Sequence, residues 1–261
     1  MPRLVPFVLV IAVVAGCGKS SSRAPGTSIS VSTATSTAAT TTTRAAPPPP
    51  TLVRVYFLRD EGKINPVGRA VPGTRAVAFA ALEQLFAGPT AHERAAGFTS
   101  AIPINASPGA VTIVDDVAVI DLPRLSHAAL AQVVYTLTQF PTMRGVRTAR
   151  SIGDTKPLTP ADFEDVTPQI LIEDPLPDEH VTSPLRVRGT ANTFEATFVL
   201  ELHDASGKTL AHRVVTATSG SGERGTFETT LRFSGAPAVL GAWEPSAENG
   251  KPLHEVVIPV R

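Results

Sequence analysis

Arg75-Ala76-Val77-Ala78-Phe79-Ala80-Ala81-Leu82-Glu83-Gln84-Leu85-Phe86-Ala87-Gly88-Pro89-Thr90 is the stretch that decides the fold of the first half of the chain. Val77, Ala81, Leu82, Leu85 and Phe86 recur at helical spacing, so a helix from about Arg75 to Ala87 carries one apolar face. Gly88-Pro89 ends it. Thr90 and Glu93 then stand at capping-box spacing and open a second, short helix that closes near Gly97. Before the first helix, Val53, Val55 and Phe57 alternate with Arg54, Tyr56 and Leu58, which predicts a strand that ends in a turn at Asp60-Glu61-Gly62. An apolar helical face followed by alternating strands must be buried against a sheet, and that points to an α+β layer.

Working outward, Val111 to Val114 and Val117 to Leu122 read as two strands joined at Asp115-Asp116. Ser126 is a good N-cap for a helix from His127 to about Phe140, with Leu130, Val133, Val134 and Leu137 on its buried stripe. Pro141 ends that helix, and Val146 to Ile152 reads as the last strand. The expected fold is therefore helices on one face of a mixed or antiparallel sheet.

Four segments carry a resemblance. Ala81 to Thr90, Thr99-Ser100-Ala101-Ile102-Pro103, Val117-Ala118-Val119-Ile120-Asp121-Leu122 and Ala131-Gln132-Val133-Val134-Tyr135-Thr136-Leu137-Thr138 together resemble the GerM-type (GerMN) domain over about residues 52–153. The resemblance implies a bacterial envelope lipoprotein linked in some members to spore formation and germination, with assembly or adhesion rather than catalysis as its role. Asp115-Asp116 departs from the pattern, which leads one to expect a glycine there.

Residues 154–168 contain Pro157, Pro160 and Pro168 and read as a linker, with one helical turn starting at Pro160-Ala161-Asp162-Phe163. Beyond it the pattern changes to short strands, at 169–172, 185–189, 195–204, 209–218, 225–233, 239–243 and 256–260. Phe198, Leu200 and Leu202 share a face, as do Phe227, Thr229 and Leu231, so the expectation is an all-β immunoglobulin-like sandwich. Trp243 reads as a core anchor in preference to a half-exposed contact residue. Thr182 to Leu185, Gly189 to Ala196, Thr216 to Thr218, Gly220 to Phe227 and Trp243 to Ala247 resemble the immunoglobulin-like domain associated with bacterial spore germination, over about residues 169–261.

The N-terminal end carries address rather than fold. Residues 1–16 read as a signal peptide: Arg3 supplies charge, and the apolar run Leu4 to Val14 is too short to span a bilayer core of roughly 30 Å. The run ends in Val14-Ala15-Gly16-Cys17, which resembles a bacterial lipobox, and Cys17 is the only cysteine in the chain. The resemblance implies acylation of Cys17 and cleavage before it, and more than one acyl chain gives stable anchoring. Residues 18–50 are mostly Ser, Thr, Ala and Pro, with a few basic residues and no acid. That composition buries too little apolar surface to fold, so 17–50 is expected to be a disordered tether reaching roughly 30 Å. The domain expectation is thus 1–16 signal, 17–50 lipidated tether, 51–153 α+β domain, 154–168 linker and 169–261 sandwich.

Composition narrows the function further. Lysine plus arginine number 23 against 23 aspartate plus glutamate, so no basic excess is present to neutralise phosphates and nucleic acid is not an expected partner. Gly18-Lys19-Ser20 lacks the upstream glycine of a phosphate loop, since Val13 stands there. Gly220-x-Gly222-x-x-Gly225 fits a dinucleotide-binding pattern, but β-rich sequence lies on both sides, so a hairpin loop is expected and no nucleotide or other cofactor. Asp115, Asp116 and Asp121 are acid–base candidates that read better as a solvated turn and a local pairing. His127, His180, His203, His212 and His254 show no metal spacing, and Glu173-Asp174 with Asp178-Glu179 reads as a solvated acidic turn, whose carboxylates suit calcium but lack the alternating spacing of a known site. No catalytic, metal or cofactor residue is expected; Cys17 is the one site residue. The expected function is a non-enzymatic, lipid-anchored scaffold or protein-binding module on the extracytoplasmic face of the cell membrane, with envelope proteins as partners. A module binding peptidoglycan is the alternative, disfavoured by only two tyrosines and one tryptophan; an envelope hydrolase ranks below it.

Overall fold

β1 (Thr51–Arg59) and β2 (Lys63–Val71) form an antiparallel hairpin, with Thr51 opposite Val71 and Arg59 opposite Lys63. This is a computed structural model, and it describes residues 48–149 and 156–261. The expected signal segment, Cys17, nearly all of the tether and the far end of the strand expected over 146–152 lie outside the described residues. Asp60, Glu61 and Gly62 all take positive φ to turn the hairpin, at 40°, 59° and 78°. The sequence reading contains no strand over 63–71, because Pro66 and Gly68 interrupt the alternation. Pro66 is tolerated since Tyr56, opposite it, turns its N–H and C=O away from β2, so no ladder bond is lost there.

That outward edge of β1 is sealed residue by residue. Gln139 accepts from the Arg54 N–H at 2.7 Å and donates back to its carbonyl at 2.6 Å. Thr136 Oγ1 accepts from the Tyr56 N–H at 3.2 Å, and Gln132 Nε2 donates to the Tyr56 carbonyl at 3.1 Å. Leu58 exchanges two backbone bonds with Thr99, at 2.9 and 2.8 Å. Thr136 and Gln132 belong to α3 (His127–Thr138), which Ser126 caps through its side chain, as expected. Val133, Val134 and Leu137 are fully buried, and so are Gln132 and Thr136, because α3 is covered by β1, by α1 (Val77–Ala87) and by residues 160–166. α2 (Ala91–Ala95) carries the expected Thr90–Glu93 capping box.

β3 (Val111–Val114), β4 (Val117–Ile120) and β5 (Gly145–Thr148) make a second small sheet in the order β3-β4-β5. β3–β4 is antiparallel and turns on Asp115 and Asp116, both at positive φ; β4–β5 is parallel, crossing over through α3. The first domain is α+β as expected, with its strands divided between these two sheets. The stretch 156–168, expected as a linker, is folded: Leu158 exchanges two 2.8 Å bonds with Val146, and a 3-10 segment, Pro160–Val166, packs on α3 with Phe163 inside the first domain's core.

The second domain is all β. β6 (Ile170–Asp174), β7 (Leu185–Ala191) and β10 (Gly225–Leu231) form one sheet. β8 (Thr197–His203), β9 (Thr209–Thr216), β11 (Val239–Pro245) and β12 (Pro252–Pro259) form the other, in the order β12-β11-β8-β9. Phe198 meets Phe227 edge-on at 4.8 Å in the core between them. Gly189 has no substitute, since a Cβ there would lie 1.9 Å from the Leu171 carbonyl. Two details differ from expectation. Gly220 to Gly225 does not close a hairpin, because β9 and β10 belong to different sheets and the loop crosses between them. Trp243 is half-buried on the outer face of β11, where alternation gives the core side to Leu240, Ala242 and Glu244.

Candidate functional site

The seam between the domains is built from the expected acidic turn, whose acids are half-buried and partnered instead of freely solvated. The Tyr56 phenol donates to Glu173 at 2.6 Å. Burial, joined by the nearby Glu173 charge, pushes this phenol well above its ordinary value against the pull of Arg54, so it holds its proton and remains the donor. Asp174 accepts from Arg188 at 3.1 Å, and Glu179 accepts from the Leu176 N–H at 2.8 Å. Asp178 lies 3.0 Å from His92 and 3.3 Å from Arg261; the hydrogen bond to His92 leads in holding its carboxyl below the usual range. Glu173, Asp174 and Asp178 therefore take partners distant in the chain, which no local pattern could reveal, while Glu179 closes its own turn. On another part of the seam Arg224 binds Glu164 at 2.8 and 2.9 Å, and the Pro168 carbonyl at 2.7 Å.

Where β1 begins, the seam opens into a groove of about 520 Å³ that neither the sequence pattern nor any motif marks. Arg54, Arg188, Glu173 and Glu179 line it together with Leu52 and Leu176. Arg54 has its backbone clamped by Gln139, while its Nε is buried with no hydrogen-bond partner among the described residues. A larger cavity of about 630 Å³ includes Lys63 and Glu164, both already engaged, Lys63 by the Asp165 carbonyl at 2.7 Å and Glu164 by Arg224.

The remaining sequence candidates are dispersed. Asp115 and Asp116 are exposed in the β3–β4 turn, with Asp116 3.5 Å from Arg144. The Asp121 carbonyl receives the Gly109 N–H at 3.0 Å. His127 pairs with Asp165 at 2.9 Å and stacks on Phe163. His203 and His212 stand 3.3 and 4.0 Å from Glu201, His254 stands 3.8 Å from Glu244, and His180 is exposed. Among the described residues no three histidine or acidic side chains are grouped as a metal would need. Cys17 and Gly18-Lys19-Ser20 lie outside the described residues.

A second surface is the free edge of β3. Val111-Thr112-Ile113-Val114 is uncharged and wholly β-branched or hydroxylated, pairs only with β4 among the described strands, and leaves Ile113 and Val114 half-exposed, at 51% and 50%. Protein edges are ordinarily blunted by a lysine, a proline or a bulge within the strand; none occurs in these four residues. β1 has its edge covered by α3, so the contrast between the two strands lies within one domain.

Residues 54–147 match the family described as "Sporulation and spore germination", and residues 169–251 match the "Immunoglobulin-like domain of bacterial spore germination". No curated protein matches the chain. Among solved structures it is similar to the tandem GerMN domains of the sporulation protein GerM from Bacillus subtilis, at 15% identity and TM-score 0.35 over 70% of this chain and 61% of that one. It is also similar to the first GerMN domain of that protein, at 21% identity and TM-score 0.31 over 42% of this chain and 94% of that one. A putative lipoprotein from Clostridium perfringens gives 21% identity and TM-score 0.29 over 48% of this chain and 98% of that one. The chain thus spans about three fifths of the tandem GerMN structure.

Proposed function

The chain is a GerM-type protein of the sporulation and germination kind that carries an immunoglobulin-like domain, and on that premise we propose that it is a non-catalytic scaffold, lipid-anchored on the outer face of the cell membrane. The observation that carries the scaffold reading is the unblunted edge of β3. An added strand would satisfy its open N–H and C=O groups and cover Ile113 and Val114, which is the way exposed edges recruit extended segments. The occupant is an uncharged, β-branched segment of a partner envelope protein. A lysine or arginine at one end of that segment lies beside Asp115 and Asp116, the acids that close the strand. Wall polymer, short of β-structure, has nothing to add to such an edge.

Two experiments test this reading. Crosslinking in intact cells from a photoreactive residue at Thr112 should give a defined protein adduct. Ile113→Lys should abolish that adduct, while Val214→Lys, on an equally exposed strand, should not. Both positions are solvent-facing, so folding is unaffected; an adduct equally strong in both variants sinks strand addition, and capture of purified peptidoglycan in place of protein would replace it. For the anchor, Cys17→Ser should remove the protein from the membrane fraction or leave it unprocessed. Recovery of that variant with membranes at mature size would refute the lipid.

A further inference from the structure

The groove at the start of β1 holds a guanidinium whose Nε has no hydrogen-bond partner among the described residues. Buried donors without partners are rare, and each costs roughly 1–3 kcal/mol when left so. Arg54 Nε is one of two such side-chain atoms among the described residues. Among the described residues no carboxylate is ion-paired with the Arg54 guanidinium, although three acids, Glu173, Asp174 and Glu179, line the same groove. Those acids are occupied: Glu173 by the Tyr56 phenol, Asp174 by Arg188 and Glu179 by the Leu176 N–H. Each of these bonds uses one oxygen of its carboxylate, and among the described residues Arg188 is bonded through Nε. The groove therefore presents guanidinium N–H groups and carboxylate oxygens together.

Charge decides what can enter. Two arginines face three acids, so a plain anion is repelled by the carboxylates and a plain cation by the guanidiniums. A molecule with a carboxylate and an ammonium a few ångströms apart meets both demands and changes the net charge of the groove by nothing. Leu52, 63% exposed, and Leu176, buried in the floor, offer an aliphatic surface between the charged groups. The volume, about 520 Å³, falls in the range of small-ligand sites and suits a body of dipeptide size or a little more.

We propose that this groove between the two domains is a binding site for a short zwitterionic peptide, its carboxylate on Arg54 and Arg188, its ammonium on Glu173 and Glu179, and its aliphatic side chain against Leu52 and Leu176. The site is independent of the β3 edge and stands whether or not the scaffold role does. It gives a reason for the clamp of Gln139 on both sides of the Arg54 backbone: the clamp fixes the strand position from which a side chain projects whose Nε has no partner among the described residues.

Calorimetric titration of the full chain with alanyl-alanine, acetyl-alanyl-alanine and alanyl-alanine amide tests the proposal. The zwitterion should bind with a Kd of about 1 mM or tighter, and each singly blocked form at least about tenfold more weakly. Arg54→Gln should abolish binding of the zwitterion, Arg54→Lys should retain part of it, and Leu52→Asp, at an exposed rim position that cannot unfold the domain, should weaken it severalfold. Glu179→Gln should weaken the zwitterion while leaving the acetylated peptide unchanged. The proposal is overturned if the unmodified chain gives no heat with alanyl-alanine at about ten times that Kd. It is equally overturned if the three peptides bind alike, or if Leu52→Asp and a folded Arg54→Gln bind as the parent does.

Discussion

Gln132→Leu is expected to lower the melting temperature by about 10 °C, although leucine nearly matches glutamine in volume and suits a fully buried site. The side chain makes three bonds from the middle of α3: it donates to the Tyr56 carbonyl at 3.1 Å and to Ser100 at 3.4 Å, and it accepts from the Ala101 N–H at 2.8 Å. Leucine would strand the Tyr56 carbonyl and the Ala101 N–H in the interior. Each stranded backbone group costs roughly 1–3 kcal/mol, and the gain from burying a more apolar side chain offsets part of that. The net is about 3 kcal/mol, which at 2–4 °C per kcal/mol for a domain pair of this size is about 10 °C. Differential scanning calorimetry checks it, and a shift of under about 2 °C would mean that water or a relaxed backbone replaces Gln132.

Arg224→Ala comes next in size. Arg224 is 12% exposed and ties three places together: Glu164 on the 3-10 segment, the Pro168 carbonyl, and Thr190 on β7 at 3.2 Å. Breaking a buried pair by removing one partner costs about 3–5 kcal/mol, but Glu164 is 37% exposed and can rehydrate, so solvent screening brings the figure to about 2 kcal/mol. The pH dependence has a definite sign. Burial raises Glu164, and the hydrogen bonds from Arg224 and Asn192 outweigh it, so the carboxyl sits below its ordinary value of 4.5. A depressed folded pKa gives stability that is present above 4.5 and disappears as the pH falls through the lower, folded value. The stability gap between the parent and Arg224→Ala should accordingly be full at neutral pH and narrow in acid. Urea melts at a series of pH values measure it; a gap that widened on acidification would contradict the assigned role of Glu164.

How much was legible in the sequence follows from the range of the signal. Thr90 and Glu93 are three residues apart, Ser126 adjoins its helix, and Phe198, Leu200 and Leu202 alternate within one strand. These local patterns told of caps, helices and the seven sandwich strands. β2 escaped because Pro66 and Gly68 break its alternation, and only the outward-turned Tyr56 makes the proline acceptable. The acids of 173–179 looked solvated because Glu173 finds Tyr56 at a separation of 117 residues. Trp243 reads as a core anchor, but the register of β11 on β8 puts its neighbours inward and leaves it outward. The groove at Arg54 was beyond reach for the same reason as the acids, since its walls come from β1, β7 and the turn between β6 and β7.

Phe163 lies among the core side chains of the first domain although it is encoded after the last strand of that domain. Any recombination event that exchanged the sandwich for another module by cutting the gene near codon 153 would leave the recipient without that ring and without the Leu158 pairing. A cut after Pro168 would keep both, but Leu171 of β6 lies in that same core and Arg224 reaches back to Glu164, so in inheritance the two halves travel better together than apart.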